Sequence, residues 1–313
     1  MKVPVEQPVS EGCAVRGVNS WLDRFQGSYN GPVDPYKSVT DKNPNPESYD
    51  RFAESYELIY GQIDEYGVVR AWLDLAEATG LVPSRAERER QPPSLIDVGC
   101  GPGWYLPAWA SHYFRVAGLD CSPRMLEMAR QNLRAARITD SGRLYQADIR
   151  EVAAVRRLGR KFDLAVSHFS FPNLFPPNEL PALFGGIAEL LAPGGLWLTD
   201  LRPELETADE TVERIELPEG KIVRRSDFDC ASGSYRQFWT VNDLDFQERF
   251  WFHNSATVAR ARQSSNLDLI ADSEWPAPHD SHRDDPNPTP RMLILHASER
   301  KIETTPKRLR AGR

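Results

Sequence analysis

Residues 95–103 read LIDVGCGPG. Leu95, Ile96 and Val98 make a short apolar run, and Gly99, Gly101 and Gly103 follow at spacing two. An apolar strand that ends in a glycine-dense turn before a helix is a place where a ligand meets the backbone closely. Glycine accepts dihedrals that other residues resist, and without a Cβ it lets a bound molecule lie against the main chain. The segments that follow keep a strand–helix rhythm, so the turn reads as the ligand floor of a doubly wound α/β domain.

Residues 104–112 read as the helix after the turn. A second apolar strand, 115–119, ends at Asp120, and an acidic residue at that tip is placed to accept hydrogen bonds from ribose hydroxyls. Ser122 is a good N-cap with Pro123 in the first turn of a helix whose apolar face runs Met125, Leu126, Met128 and Ala129. A third strand, 144–147, ends in Asp148–Ile149. A fourth, 162–166, runs into SHFSFPNLF, outside the carboxyl end of the sheet where ligands of open α/β folds sit. A helix over 179–191, an APGG turn at 192–195 and a fifth strand over 195–200 complete the run.

The glycine turn, with segments 115–120, 144–149 and 189–200, closely resembles the class I S-adenosylmethionine (SAM)-dependent methyltransferases. The resemblance implies a Rossmann-like seven-stranded α/β sheet with an N-terminal helical cap and an antiparallel β insertion after the fifth strand. It implies SAM as cofactor and S-adenosylhomocysteine (SAH) as product. It places the cofactor against Asp97, Gly99, Cys100, Gly101, Gly103, Asp120, Cys121, Met125 and Ser167, with Asp148 accepting the adenine amino group and Ile149 packing on the ring. A nicotinamide oxidoreductase is the competing reading of a glycine turn. Against it stand the spacing, GxGxG where the dinucleotide fingerprint is GxGxxG, and Trp104 where that fingerprint wants a small residue.

Outward from this core, Tyr49, Phe52, Ala53, Tyr56 and Tyr60 recur at helical spacing, and a second amphipathic helix over 68–77 ends near Gly80. Such a stripe is ordinarily core. The string YDRFAESYELIY also resembles the cap helix of small-molecule methyltransferases, in which a tyrosine closes over the methionine end of the cofactor; Tyr56 and Tyr60 are the candidates. Residues 84–93 (SRAERERQPP) read as a charged linker. Past Arg202, segments 215–225, 235–241 and 246–253 are aromatic and β-branched with partial alternation, which predicts an antiparallel insertion roofing the acceptor site. A helix over 255–266 and two strands, 267–273 and 291–297, close the sheet around a Pro/Asp/His loop at 275–290. The domain plan is a loosely ordered arm over 1–47, a methyltransferase domain over 48–299 and a disordered basic tail over 300–313. Within the domain, 48–80 is the cap, 94–202 the SAM-binding core, 203–254 the insertion and 255–299 the closing unit.

Bulk properties exclude several classes. A formal net charge of −7 argues against a general nucleic-acid binder, because neutralising phosphates needs a basic face. The four cysteines form no CxxC pair and read as free thiols of a reducing compartment. The start lacks the apolar core of a signal peptide and no run of about 18 apolar residues occurs, so a cytoplasmic protein away from membranes is expected. His279 and His282 lack a carboxylate or cysteine at metal-binding spacing, and no metal is expected.

Methyl transfer asks little of a protein: an in-line displacement gains roughly 7–11 kcal/mol from positioning alone. The remaining need is a nucleophile with a free lone pair, to which a general base adds about 10²–10⁴-fold. His168, just past the fourth strand, and His253, at the end of the insertion, are the candidate bases; a structural histidine is the ordinary alternative for each. Asn173, Arg202, Trp239 and Trp251 are the candidate acceptor contacts. The pattern is most similar to glycine/sarcosine-type and amino-sugar N-methyltransferases. The latter carry a histidine near the position of Asn173, and this chain departs from them there. Nitrogen is the favoured acceptor atom, before oxygen and carbon, on a small molecule of secondary metabolism. A SAM-binding protein that transfers no methyl is the alternative of another class. An N-terminal arm that folds back or swaps between chains allows a homodimer.

Overall fold

Alternation along one strand decides the layering. Leu95 packs on one face of the main sheet, while Ile96 and Val98 pack on the other. The computed structural model describes residues 46–61, 63–138, 143–202, 211–217, 220–229, 233–241, 244–274 and 291–298. The arm before 46, the loop at 275–290 with His279 and His282, and the basic tail lie outside the described residues.

Helices α1 (Pro46–Tyr60), α2 (Glu65–Ala78) and α3 (Arg85–Arg90) precede strand β1 (Ser94–Val98). Then α4 (Tyr105–Ser111), β2 (Arg115–Asp120), α5 (Pro123–Ala135), β3 (Arg143–Gln146), α6 (Val152–Arg157) and β4 (Phe162–Ser167) alternate. A 3-10 turn (Phe171–Leu174) and α7 (Leu180–Leu190) lead into β5 (Leu191–Leu201). Strands β6 (Thr211–Leu217), β7 (Gly220–Asp229), β8 (Ser234–Val241) and β9 (Leu244–Trp251) follow, then α8 (Ser255–Gln263), β10 (Leu267–Glu274) and β11 (Arg291–Ala297).

The main sheet has seven strands in the order β10-β11-β5-β4-β1-β2-β3, parallel except for β11, which runs antiparallel to both neighbours. Val69, Trp72 and Leu73 of α2 and Leu106 and Trp109 of α4 bury one face, against Leu95, Val166 and Leu198. Leu183, Phe184 and Ile187 of α7 and Val258 of α8 bury the other, against Ile96, Val98 and Trp197. Helices on both faces make the doubly wound fold expected from the strand–helix rhythm. Among the described residues no helix is long and apolar enough to cross a membrane.

The insertion is a four-stranded antiparallel sheet, β6-β7-β8-β9, rather than three strands. What reads in sequence as one segment, 215–225, is the closing half of β6 paired with the opening half of β7. The charged linker at 84–93 contains α3. Glu87 accepts from the Ser84 backbone N–H at 2.8 Å and from its hydroxyl at 2.6 Å, which caps the helix. Arg88 is 2% exposed and donates to Glu77, to the Pro83 carbonyl and to the His112 carbonyl. A charged string with one buried, fully engaged arginine looks polar throughout in sequence, which hides the helix. The APGG segment belongs to β5, with an irregular register beside β4 and Gly194 at φ +79°.

Candidate active site

The glycine turn closes by hydrogen bonds from Gly99 N and Cys100 N to the Leu119 carbonyl, 2.8 and 3.1 Å, which tie it to the end of β2. All three glycines have positive φ, +74°, +50° and +73° in order. A Cβ at Gly99 would stand 2.3 Å from the Phe171 ring, and one at Gly103 2.9 Å from the Ala129 side chain. Gly101 differs: a Cβ there would meet nothing within 4 Å. The outer glycines serve packing, and the middle one leaves an open backbone floor.

Asp120 stands beside that floor. Its Oδ2 accepts from Gly101 N at 2.9 Å and its Oδ1 from Ser122 N at 2.8 Å, so the carboxylate braces the turn against the start of α5. Burial pushes its carboxyl above the usual range, opposed by these backbone N–H groups. Asp97 is 2% exposed and pushed up to about 8 by burial and by the nearby Asp120 charge. Asp148 is paired with Arg150, whose guanidinium also reaches Glu179 and lies over the Phe175 ring. Ile149 is buried beneath α7, its carbonyl 2.0 Å from where a Cβ on Gly186 would stand.

Helix α1 and the inserted sheet cover the turn from above. Tyr49 and Tyr60 donate to the two oxygens of Glu248 on β9, each at 3.1 Å. Phe52 stacks on Phe246 with centroids 3.9 Å apart. Tyr56 faces Trp104 at 5.4 Å, and Tyr60 contacts both Phe169 and Trp239. The cap is also pinned to α5, where Asp50 accepts from the Ser122 hydroxyl at 2.6 Å. Tyr56 and Tyr60, the candidates from the cap-helix resemblance, contact Trp104 beside the turn and Phe169 and Trp239 respectively, and burial raises both phenols.

Both candidate histidines are core residues. His168 is 6% exposed, stacks on Tyr105 at 3.9 Å, and accepts at Nε2 from Trp109 Nε1. Its basic lone pair is thus occupied, and burial lowers its pKa to about 3. His253 Nε2 donates to the Pro172 carbonyl at 3.1 Å, and burial lowers its pKa as well. Neither environment suits a general base. Asn173 spends its amide on backbone groups, donating to the Arg202 and Trp251 carbonyls and accepting from Arg202 N, so it clasps the end of β5 to β9. Ser167 ends β4 on the α7 face, level with the end of β1, and its hydroxyl donates to Thr199 and accepts from Trp197 Nε1. Met125, at 1% exposure, is core of α5. Burial pushes the Cys100 and Cys121 thiols up, which disfavours the reactive thiolate. Trp239 and Trp251 are buried in the roof, and Arg202 lies over the Phe250 ring at 5.8 Å.

Residues 95–195 match a family model described as a methyltransferase domain. That stretch is similar to a methyltransferase domain. A dTDP-3-amino-3,4,6-trideoxy-alpha-D-glucopyranose N,N-dimethyltransferase of Streptomyces venezuelae is 36% identical over 146 residues, 46% of this chain and 54% of that protein. The chain spans about half the length of the curated relatives it matches. Among solved structures, a SAM-dependent methyltransferase of Clostridium acetobutylicum superposes with a TM-score of 0.63 at 16% identity, over 80% of this chain and 99% of that one. Streptomyces venezuelae DesVI superposes with a TM-score of 0.55 at 25% identity, over 79% and 98% of the two chains.

Two carboxylates, one on the main sheet and one on its roof, escape the sequence reading. Glu248 sits in the alternating run LDFQERFW, where an inward-facing glutamate is the one polar break among aromatics. Asp200 is the penultimate residue of β5, between Thr199 and Leu201, and is 3% exposed. Its Oδ2 accepts from Ser170 N at 2.7 Å and Ser170 Oγ at 2.9 Å. It thereby holds a turn in which two consecutive non-glycine residues, Phe169 and Ser170, have φ of +60° and +54°. Strained backbone of this kind persists only where its surroundings hold it, and it clusters at functional sites.

Proposed function

We propose that this chain transfers a methyl group from SAM to the nitrogen of a small amine-bearing acceptor, an amino sugar being the class named for its Streptomyces relative. The observation that carries the reading is Gly101: open backbone at positive φ, flanked by two packed glycines and braced by a buried carboxylate at the tip of the next strand. These residues fit SAM. The Gly101 floor offers close backbone approach, and Asp120 offers carboxylate oxygens to the ribose. Tyr56 and Tyr60 close the methionine side under the cap, with Asp148 and Ile149 toward the adenine. Bound SAM supplies a methyl already made electrophilic by its sulfonium.

The chain's own contribution is positioning and exclusion of water. Tyr56, Tyr60, Trp104, Phe169 and Trp239 form an aromatic wall, which suits a cationic or amine-bearing partner. With both histidines engaged in the core, the acceptor nitrogen reacts as the neutral amine, and rate follows its own protonation. Calorimetric titration with SAM and SAH, followed by mass spectrometry of dTDP-amino-sugar acceptors, tests the reading. Micromolar binding of both ligands with a methylated product is expected. If neither ligand binds, the proposal fails.

A further inference from the structure

Asp200 Oδ1 is a buried carboxylate oxygen with no hydrogen-bond partner among the described residues. A buried acceptor left unmatched is rare in a folded protein and marks a place where a partner is absent. Its fellow oxygen is fully engaged by Ser170, so the carboxylate cannot swing to find a donor without releasing the turn. Phe169, one residue away, is 36% exposed, which puts this turn at the surface of the site. Asp200 shares a sheet face with Leu196 and Leu198, the face that α2 and α4 cover and on which His168 and Tyr105 stack.

Position says which ligand. The elements assigned to the cofactor follow β1, β2 and β3, whereas Asp200 lies near the end of β5, on the far side of β4. Asp120 at the tip of β2 is three strands away, roughly 14 Å at the usual strand spacing. A donor on Asp200 therefore belongs to the acceptor's side of the reaction. The groups facing Asp200 are Ser170 from the turn, Arg202 at the end of β5, whose charge favours the carboxylate, and Tyr105 from α4.

Resting on the methyltransferase reading above, we propose that Asp200 Oδ1 is the anchor for the acceptor's amine, receiving an N–H from a primary or secondary amine and aiming its nitrogen at the methyl. This assigns to the end of β5 the choice of an amine over a hydroxyl acceptor. Burial supports the role: it pushes the carboxyl up to about 6, against Ser170 and the Arg202 charge, so the group is an ionised acceptor at neutral pH.

Sinefungin, which carries an amine where SAM carries its transferable methyl, probes the site without a known acceptor. Asp200→Asn is nearly isosteric and keeps one oxygen for Ser170, but presents an amide N–H where the proposal needs an acceptor. Calorimetry with wild type, Asp200→Asn and Ser170→Ala, each against sinefungin and SAH, tests it. The expected result is that Asp200→Asn weakens sinefungin by about tenfold or more, with SAH affinity within about threefold of wild type. Ser170→Ala, which leaves Oδ1 in place, weakens sinefungin less. Equal losses for both ligands, no loss for either, or a Ser170→Ala loss as large as that of Asp200→Asn would overturn the proposal. Failure of wild type to bind SAH would instead sink the methyltransferase reading.

Discussion

The Tyr60 hydroxyl donates to Glu248 Oε2 at 3.1 Å across 188 positions of sequence, while Tyr49 takes the other oxygen. One carboxylate thereby ties the cap helix to the last strand of the inserted sheet, directly over the glycine turn. Burial raises its carboxyl, against the two phenols that stabilise the charged form.

Removing that carboxylate leaves two half-buried phenols without their acceptor. Glu248→Ala is expected to destabilise the protein by roughly 1–3 kcal/mol, below the two full penalties of about 1–3 kcal/mol each because the phenols are only partly buried. Glu248→Gln, which keeps one good acceptor, should lose less. Urea unfolding measures both. A loss under about 0.5 kcal/mol for the alanine variant would mean that the roof stays closed through its aromatic contacts alone.

Gly99 and Gly101 should separate stability from binding. Gly99→Ala meets the Phe171 ring at 2.3 Å as well as an unfavourable φ, so a lowered melting temperature is expected. Gly101→Ala pays only the left-handed backbone cost, about 1–2 kcal/mol, yet places a methyl on the open floor. It should melt nearer to wild type and bind SAH at least about tenfold more weakly. Thermal melts beside SAH titrations check this, and a Gly101→Ala variant with wild-type affinity would place the cofactor elsewhere.

Asp120→Ala removes the acceptor of Gly101 N and Ser122 N together with the oxygens offered to a ribose. A tenfold to hundredfold loss of SAH affinity is expected, on the order of one to three kcal/mol for the lost charged hydrogen bonds, with circular dichroism unchanged. Unaltered affinity would contradict the ribose placement.

His168 stays neutral in the folded protein down to about pH 3, whereas the unfolded chain titrates it near 6.5. Between those values the unfolded state binds a proton that the folded state refuses. The stability associated with this residue is therefore complete above about pH 6.5 and is lost as pH falls toward 3. His168→Phe should unfold more readily at pH 7, since Trp109 loses its acceptor, but show a shallower decline on acidification. Urea midpoints at several pH values measure the slope, and parallel curves for the two proteins would show that the ring is not buried neutral.

Local pattern and tertiary pairing divide this molecule between them. The glycine turn, Asp120 at the second strand tip, the Ser122 cap and the aromatic stripe of α1 are legible in sequence because each depends on neighbours a few positions apart. Periodicity also carries the order of strands and helices, since burial on both faces demands continuous apolar runs. Periodicity failed where a charge is buried: α3 reads as a linker because nothing local says that Arg88 meets Glu77 and two carbonyls. It failed too where a polar side chain's partner is remote. His168 reads as a base until Trp109, 59 positions earlier, is seen to occupy its lone pair. Asn173 reads as an acceptor contact until β5 and β9 claim its amide. Glu248 and Asp200 acquire meaning only when α1 and the turn after β4 close on them. Sequence alone determined which backbone could approach a ligand, because glycine and strand spacing are local. Which carboxylates and histidines the core engages was decided by packing across the whole fold, because a buried polar group is defined by its partner and not by its neighbours in the chain.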